Sequence, residues 1–83
     1  MLANRDAMNS RNINANNKSI GARVRERREQ LGYQQIQLAQ CLGLDVPAIS
    51  KKERGEAVIT AEQLAKLARL LGRSPRFFLQ DVV

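Results

Sequence analysis

Lys51, Lys52 and Arg54 gather three cations on one short stretch that follows the hydroxyl of Ser50. Groups of this kind neutralise phosphate, and a lysine or arginine can also donate to the O6 and N7 edge of a guanine. The same residues suit a plain solvated helix end, where cations lie favourably against the C-terminal dipole. Little else in the chain can do chemistry. There is no histidine and one cysteine, Cys41, which removes the usual zinc sites, the usual general base and any internal disulfide. The expectation is therefore no metal, no cofactor, no catalytic residue and no enzyme. Cys41 reads as a partly exposed helix residue, because nothing beside it favours a reactive thiolate.

Presenting those cations requires a rigid element. Residues 35–54, QIQLAQCLGLDVPAISKKER, read as two short helices joined by a tight turn. Leu38, Ala39 and Leu42 fall on one face of the first. Gly43 follows where a helix ends in a left-handed residue, and Leu44 is expected to point back inward. Asp45 stands at an N-cap, and Val46-Pro47-Ala48 opens the second helix. Pro47 is tolerated there because a first-turn N–H has no intrahelical partner. Ile49 lies three residues past Val46 and faces the same core as Leu42 and Leu44. Ala39 is small enough to let the two helices cross closely. This is a helix-turn-helix layout, whose second helix can enter a DNA major groove.

Composition agrees with that layout. The chain has 83 residues, enough for one small domain with a thin core. Lys and Arg number 14 against 8 Asp and Glu, for a net charge of +6 and a sequence pI of about 10.5. Such an excess suggests a polyanionic partner, and beside a helix-turn-helix pattern the partner expected is double-stranded DNA. No apolar run is long enough to span a bilayer, and the N-terminus does not resemble a secretion signal. A cytoplasmic, nucleoid-associated protein with no small-molecule ligand is expected.

Residues 1–17 differ from the rest. Asn4, Asn9, Asn12, Asn14, Asn16 and Asn17 crowd a segment with little apolar content, and asparagine competes for backbone hydrogen bonds. A flexible tail is expected, with a weak helical turn at most around Arg5 to Met8. Arg5 and Arg11 make it either a DNA-gripping arm or a passive leader. Residues 18–83 form the domain. Ser19 is the expected N-cap of a first helix that sends Ile20, Val24 and Leu31 to the core and ends near Gly32. Arg23, Arg25 and Arg27 lie on its other face, with Arg25 and Glu29 an i, i+4 pair. A second helix covers 35–42 and a third 46–54, with Gly55 as the stop. Thr60-Ala61-Glu62-Gln63 is a capping box for a fourth helix, whose Leu64, Leu67, Ala68 and Leu71 form a buried stripe before Gly72. Ser74-Pro75 opens a short fifth helix or turn carrying Phe77, Phe78 and Leu79. With no strand and no internal repeat, the fold class expected is all-α, a compact five-helix domain. Two adjacent aromatics cannot both face one core. One of Phe77 and Phe78 is therefore expected at the surface, a candidate dimer contact together with Val82 and Val83.

From about 19 to 79 the chain resembles the DNA-binding domain of the Cro and lambdoid phage repressor family. The residues that carry the resemblance are Arg28-Glu29-Gln30-Leu31-Gly32, Gln35, Leu38-Ala39, Leu42-Gly43-Leu44, Ile49-Ser50 and Glu53-Arg54-Gly55. Leu64, Leu67, Ala68 and Leu71-Gly72 complete it. The resemblance implies a five-helix domain that binds an operator as a homodimer. It also implies that Gln35 touches phosphate and braces a side chain of helix three. Val46, Pro47, Ser50 and Lys51 match its groove-facing positions, and Arg28 and Glu53 match an ion pair tying helix one to helix three. The sequence departs from the pattern at three places. Val46-Pro47 is apolar where relatives carry polar side chains, so it reads shape or a thymine methyl. Lys52 replaces a bulky apolar residue, with its stem expected over the core and its ammonium toward solvent or phosphate. The loop Glu56-Ala57-Val58-Ile59 lacks basic residues.

These features point to a sequence-specific regulator of transcription, repressor-like and of bacterial, plasmid or phage type. Phage repressor, restriction controller and antitoxin repressing its own operon stay open. The competing reading is a helix-turn-helix module that binds a protein partner through helices four and five.

Overall fold

The computed structural model describes residues 17–80, and all of its regular elements are helices. Within these bounds α1 covers 17–30. It is followed by α2 (Gln35–Leu42), α3 (Val46–Glu53), α4 (Ala61–Leu71) and α5 (Pro75–Phe78). The expected tail, its Arg5 and Arg11, and the C-terminal Val82 and Val83 lie outside the described residues, apart from Asn17. Both Asn17 and Ser19 are helical, so Ser19 is an interior residue of α1 and not its N-cap.

Local signals set the helix ends. Gly32 and Gly43 both take positive φ, 76° and 69°. After Gly32, the Tyr33 N–H donates back to the Arg28 carbonyl at 3.0 Å, and after Gly43 the Leu44 N–H donates to the Ala39 carbonyl at 2.9 Å. These bonds satisfy carbonyls that a helix end leaves open. Asp45 caps α3 by accepting from the Ala48 N–H at 2.9 Å. Thr60 and Gln63 form the reciprocal capping box of α4, each bond 3.1 Å long.

The core gathers Ile20 and Val24 of α1, Leu38 and Ala39 of α2, Ile49 of α3, the Leu64, Leu67, Ala68 and Leu71 stripe of α4, and Phe78 of α5. Each fully buried large side chain contributes roughly 1.5–3 kcal/mol by leaving water. Ala39 is completely buried, as the close crossing of α2 and α3 requires. Two expected core residues are exposed instead. Leu31 is 40% exposed, because it lies past the last helical residue of α1, where the chain turns off at Gly32. Leu44 is 37% exposed. Its backbone closes the turn, but its side chain lies at the lip of a groove with Pro47 and Ala48, not among the core residues. Leu79, too, is exposed.

A contact with no signal in the hydrophobic pattern joins α1 to α3. Gly21 is buried, and a Cβ placed on it would lie 2.7 Å from the Glu53 carbonyl oxygen and closer still to that of Lys52. Glycine here lets the first helix touch the C-terminal end of α3, which fixes the direction in which α3 points.

Candidate nucleic-acid interface

The orientation of α3 is held by a polar brace beneath it. Glu53, at the end of α3, is 5% exposed. Its carboxylate accepts from Arg28 Nε at 2.7 Å and Arg28 Nη2 at 3.1 Å, and from Gln35 Nε2 at 2.9 Å. A third Arg28 donor, Nη1, reaches the Tyr33 carbonyl at 2.9 Å. The fork of one arginine thus ties α1, the turn after it and α3 together, and Gln35 adds α2. Bidentate geometry of this kind is what a guanidinium supplies and a lysine does not. The pair expected from the sequence, Arg28 with Glu53, is in contact. Gln35 spends its amide N–H on Glu53. It also lines a shallow recess with Arg28, Gln34, Ile36 and Val46, where the N-terminus of α2 opens beside the start of α3.

Above the brace, α3 presents an outer face. Pro47 and Lys51 are exposed, while Val46, Ala48 and Ser50 are half-buried. Pro47, Ser50 and Lys51 are spaced three and four residues apart, so they share one side of the helix. Val46 packs partly against the core, leaving only an edge outward. A groove beside this face runs along Leu44, Asp45, Pro47, Ala48 and Lys51 toward Ala57 and Gln63.

The three cations of α3 and its end do not behave alike. Lys51 makes no hydrogen bond or ion pair among the described residues, so its ammonium is available to a ligand. Lys52 is half-buried, and its Nζ donates to the Val58 carbonyl at 2.5 Å. Its stem lies along the protein as expected, and its ammonium, in an exposed hydrogen bond, ties down the loop after α3. Arg54 is the C-cap, one residue beyond α3. It donates to the Glu56 carboxylate, Nε to Oε2 at 2.7 Å and Nη2 to Oε1 at 3.2 Å, and also to Ser50 Oγ. The hydrogen bond to Glu56 raises the Arg54 pKa, and the same bond lowers that of Glu56, with Lys51 adding a smaller push. A phosphate can use Arg54 only by displacing Glu56. Of the expected contact residues, Lys51 and Pro47 are free at the surface, and Ser50, Lys52, Arg54 and Gln35 are engaged within the protein.

The aromatic pair divides sharply. Phe78 is completely buried, so its side chain is core and not a dimer contact. Phe77 stands edge-on to it, with ring centroids 5.1 Å apart and planes at 89°. Phe77 is half-buried, with the Arg73 guanidinium 4.9 Å above its ring.

Sequence reasoning missed three long-range anchors. Arg27 Nε donates to the Leu71 carbonyl at 2.9 Å, capping the end of α4 from α1. Arg23 reaches Gln80 at 3.3 Å, and Gly21 makes the contact described above. Cys41 is half-buried, with its Sγ 3.7 Å from the Lys66 carbonyl. Among the described residues no group of three acidic, histidine or cysteine side chains is arranged to hold a metal ion, and no helix is long and apolar enough to cross a membrane.

A family model described as helix-turn-helix matches residues 24–78, from the middle of α1 to the last residue of α5. The chain is 36% identical over 63 residues to the HTH-type transcriptional regulator DicA of Escherichia coli strain K12, covering 76% of this chain and 47% of that protein. It is 34% identical over 62 residues to an uncharacterized HTH-type transcriptional regulator of Rhizobium meliloti strain 1021, covering 75% and 45%. Over all 83 residues it is 28% identical to an uncharacterized HTH-type transcriptional regulator of Sinorhizobium fredii, of which it covers 58%. The chain thus spans about half the length of the curated relatives it matches. No solved structure gives a significant match.

Proposed function

Because the chain belongs to the helix-turn-helix family of the Cro and phage repressor type, we propose that it binds double-stranded DNA sequence-specifically and regulates transcription in the cytoplasm, in the manner of a repressor. The observation that carries this reading is the outer face of α3. An unpaired Lys51 and a bare Pro47 stand on a helix whose direction is fixed from below by the buried Arg28–Glu53–Gln35 brace. Pre-organisation of this kind lowers the cost of binding, since the reading element loses little freedom on docking.

In this reading α3 lies in the major groove. Lys51 donates to a guanine edge or a phosphate, while Val46 and Pro47 pack on a thymine methyl or the sugar edge. Ser50 and Arg54 approach the duplex as one unit with Glu56. The recess where α2 begins, beside Gln35, receives a backbone phosphate at a helix N-terminus, whose N–H groups favour an anion. The protein acts as a homodimer whose two α3 helices sit about 34 Å apart, one DNA turn. Phe77 contributes at most its exposed edge to the dimer, with Val82 and Val83 beyond the described residues.

The test is a selection of genomic fragments, including the DNA upstream of the protein's own gene, at two salt concentrations. One fragment retained at high salt over bulk DNA is the expected result. Equal retention of all fragments, lost alike with salt, would leave only non-specific phosphate binding.

A further inference from the structure

The net charge of the chain does not sit where the DNA-reading face is. Around α3 the cations Lys51, Lys52 and Arg54 are offset by Asp45 and Glu56, and Arg28 is matched by Glu53, so that surface is nearly balanced. Arg25 with Glu29 and Lys66 with Glu62 cancel in pairs. The excess is concentrated where α1, the end of α4 and α5 meet. Arg69 in the last turn of α4, Arg73 just after it and Arg76 in α5 are all exposed and make no ion pair among the described residues. Arg27 reaches the end of α4, and Arg23 and Arg27 line a cleft with Phe77. One carboxylate of the described residues, Glu26, shares the cleft.

This arginine surface lies away from α3. At about 100° per residue, Arg23 and Arg27 stand roughly 200° and 240° around α1 from Gly21, the residue that touches the end of α3. The α1 side of this cleft therefore faces away from the end of α3. Two copies meeting through this surface face to face would oppose like charges, which leaves at most the Phe77 edge to a dimer contact. Its chemistry is that of oxyanion recognition, since guanidinium forks match carboxylate and phosphate alike. Phe77, held under Arg73 at 4.9 Å, adds an apolar spot among them.

We propose that the Arg69–Arg73–Arg76 surface around Phe77 is a second docking site, and that its occupant is an acidic protein segment with carboxylates flanking an apolar side chain. The protein would then hold DNA on α3 and an acidic partner on α5 at once. The inference builds on the DNA reading of α3, and the two are tested by separate arms.

The experiment uses the full chain and a fluorescent ten-residue peptide of alternating Glu and Leu, with the Gln–Leu peptide as the uncharged control. Fluorescence anisotropy is measured for the parent, for the triple variant R69Q/R73Q/R76Q, and for a variant of equal charge loss elsewhere, K18Q/R25Q/K51Q. All three arginines are exposed, and circular dichroism confirms that each variant is folded. The parent is expected to bind the acidic peptide and ignore the Gln peptide. R69Q/R73Q/R76Q should lose at least tenfold in peptide affinity while its affinity for a 20-base-pair duplex changes less than twofold. K18Q/R25Q/K51Q should keep the peptide within threefold. The proposal is overturned if the parent does not bind the acidic peptide, or if both triple variants lose it equally, which marks bulk charge alone. It is likewise overturned if R69Q/R73Q/R76Q loses duplex and peptide together, which makes the surface a phosphate contact. Failure of the duplex arm in the parent would sink the DNA reading and leave the peptide result standing.

Discussion

Replacing Gly21 with alanine sets two physical effects against each other. Alanine is the better helix former, and in an exposed helix interior this exchange stabilises by about 1 kcal/mol. At position 21 the added methyl has no room. It would lie 2.7 Å from the Glu53 carbonyl oxygen and closer to that of Lys52, whereas ordinary contact begins at 3.4 Å. Both neighbours are backbone atoms, so no side chain can rotate away, and α1 must retreat from α3 by at least 0.7 Å. Overpacking of this sort costs about 1–3 kcal/mol, and backbone against backbone belongs at the upper end. After the propensity gain, a net loss of about 1–2 kcal/mol remains. For a domain of this size that lowers Tm by roughly 4–16 °C. The assay is thermal and urea unfolding of Gly21→Ala beside Ala22→Gly, an exposed neighbour whose change should cost about 1 kcal/mol from propensity alone. A Gly21→Ala protein as stable as the parent, or more so, would refute the close α1–α3 contact and with it the stated cause of the direction of α3.

Other expectations follow from the same geometry. Glu53→Ala strands the Arg28 guanidinium, whose side chain is 11% exposed, and should destabilise by about 3–5 kcal/mol; urea unfolding that shows a loss under 1 kcal/mol, as for a surface pair, would contradict the brace. Ala39→Leu should cost about 1–3 kcal/mol by overpacking the α2–α3 crossing, read as a lower denaturation midpoint at unchanged m. The Glu56 carboxyl should titrate below the usual glutamate range because Arg54 hydrogen-bonds its charged form. The bond's contribution is therefore present above that usual range and fades as pH falls through the lowered value, while Arg54 stays charged throughout. Carbon-detected NMR titration of the parent and Arg54→Ala checks this, and an unmoved Glu56 pKa in the variant would contradict it.

What the sequence displays of this fold is its local punctuation. Gly43 and Gly72, the Asp45 cap before Pro47, the Thr60–Gln63 box and the α4 stripe act within a few residues, so their chemistry can be read from spacing. Ser19 misled because a capping residue is recognisable only if the helix begins there, and α1 already includes 17 and 18. Leu31 and Leu44 misled because both lie just past a helix end, where periodicity no longer says which way a side chain turns. The candidate site was half legible. Its residue types were in view, but whether each cation is free depends on partners supplied by the fold: Val58 for Lys52, Glu56 for Arg54, Glu53 for Gln35. The same holds for the phenylalanines, of which only tertiary packing sends Phe78 inward and leaves Arg73 over Phe77.

The central claim is that the outer face of α3 reads DNA, and Lys51 is its unpaired cation. The most direct measurement is the affinity of the parent and Lys51→Ala for a selected operator duplex and a scrambled duplex, each at two salt concentrations. The parent should prefer the operator by a factor on the order of 10³ or more. If Lys51 reads a guanine, the variant should lose about 1–3 kcal/mol on the operator alone. If Lys51 meets phosphate, both duplexes should weaken alike and the salt slope should fall by about one unit. A variant that binds operator and scrambled DNA as the parent does, at both salts, would contradict the claim and remove α3 as the reading element.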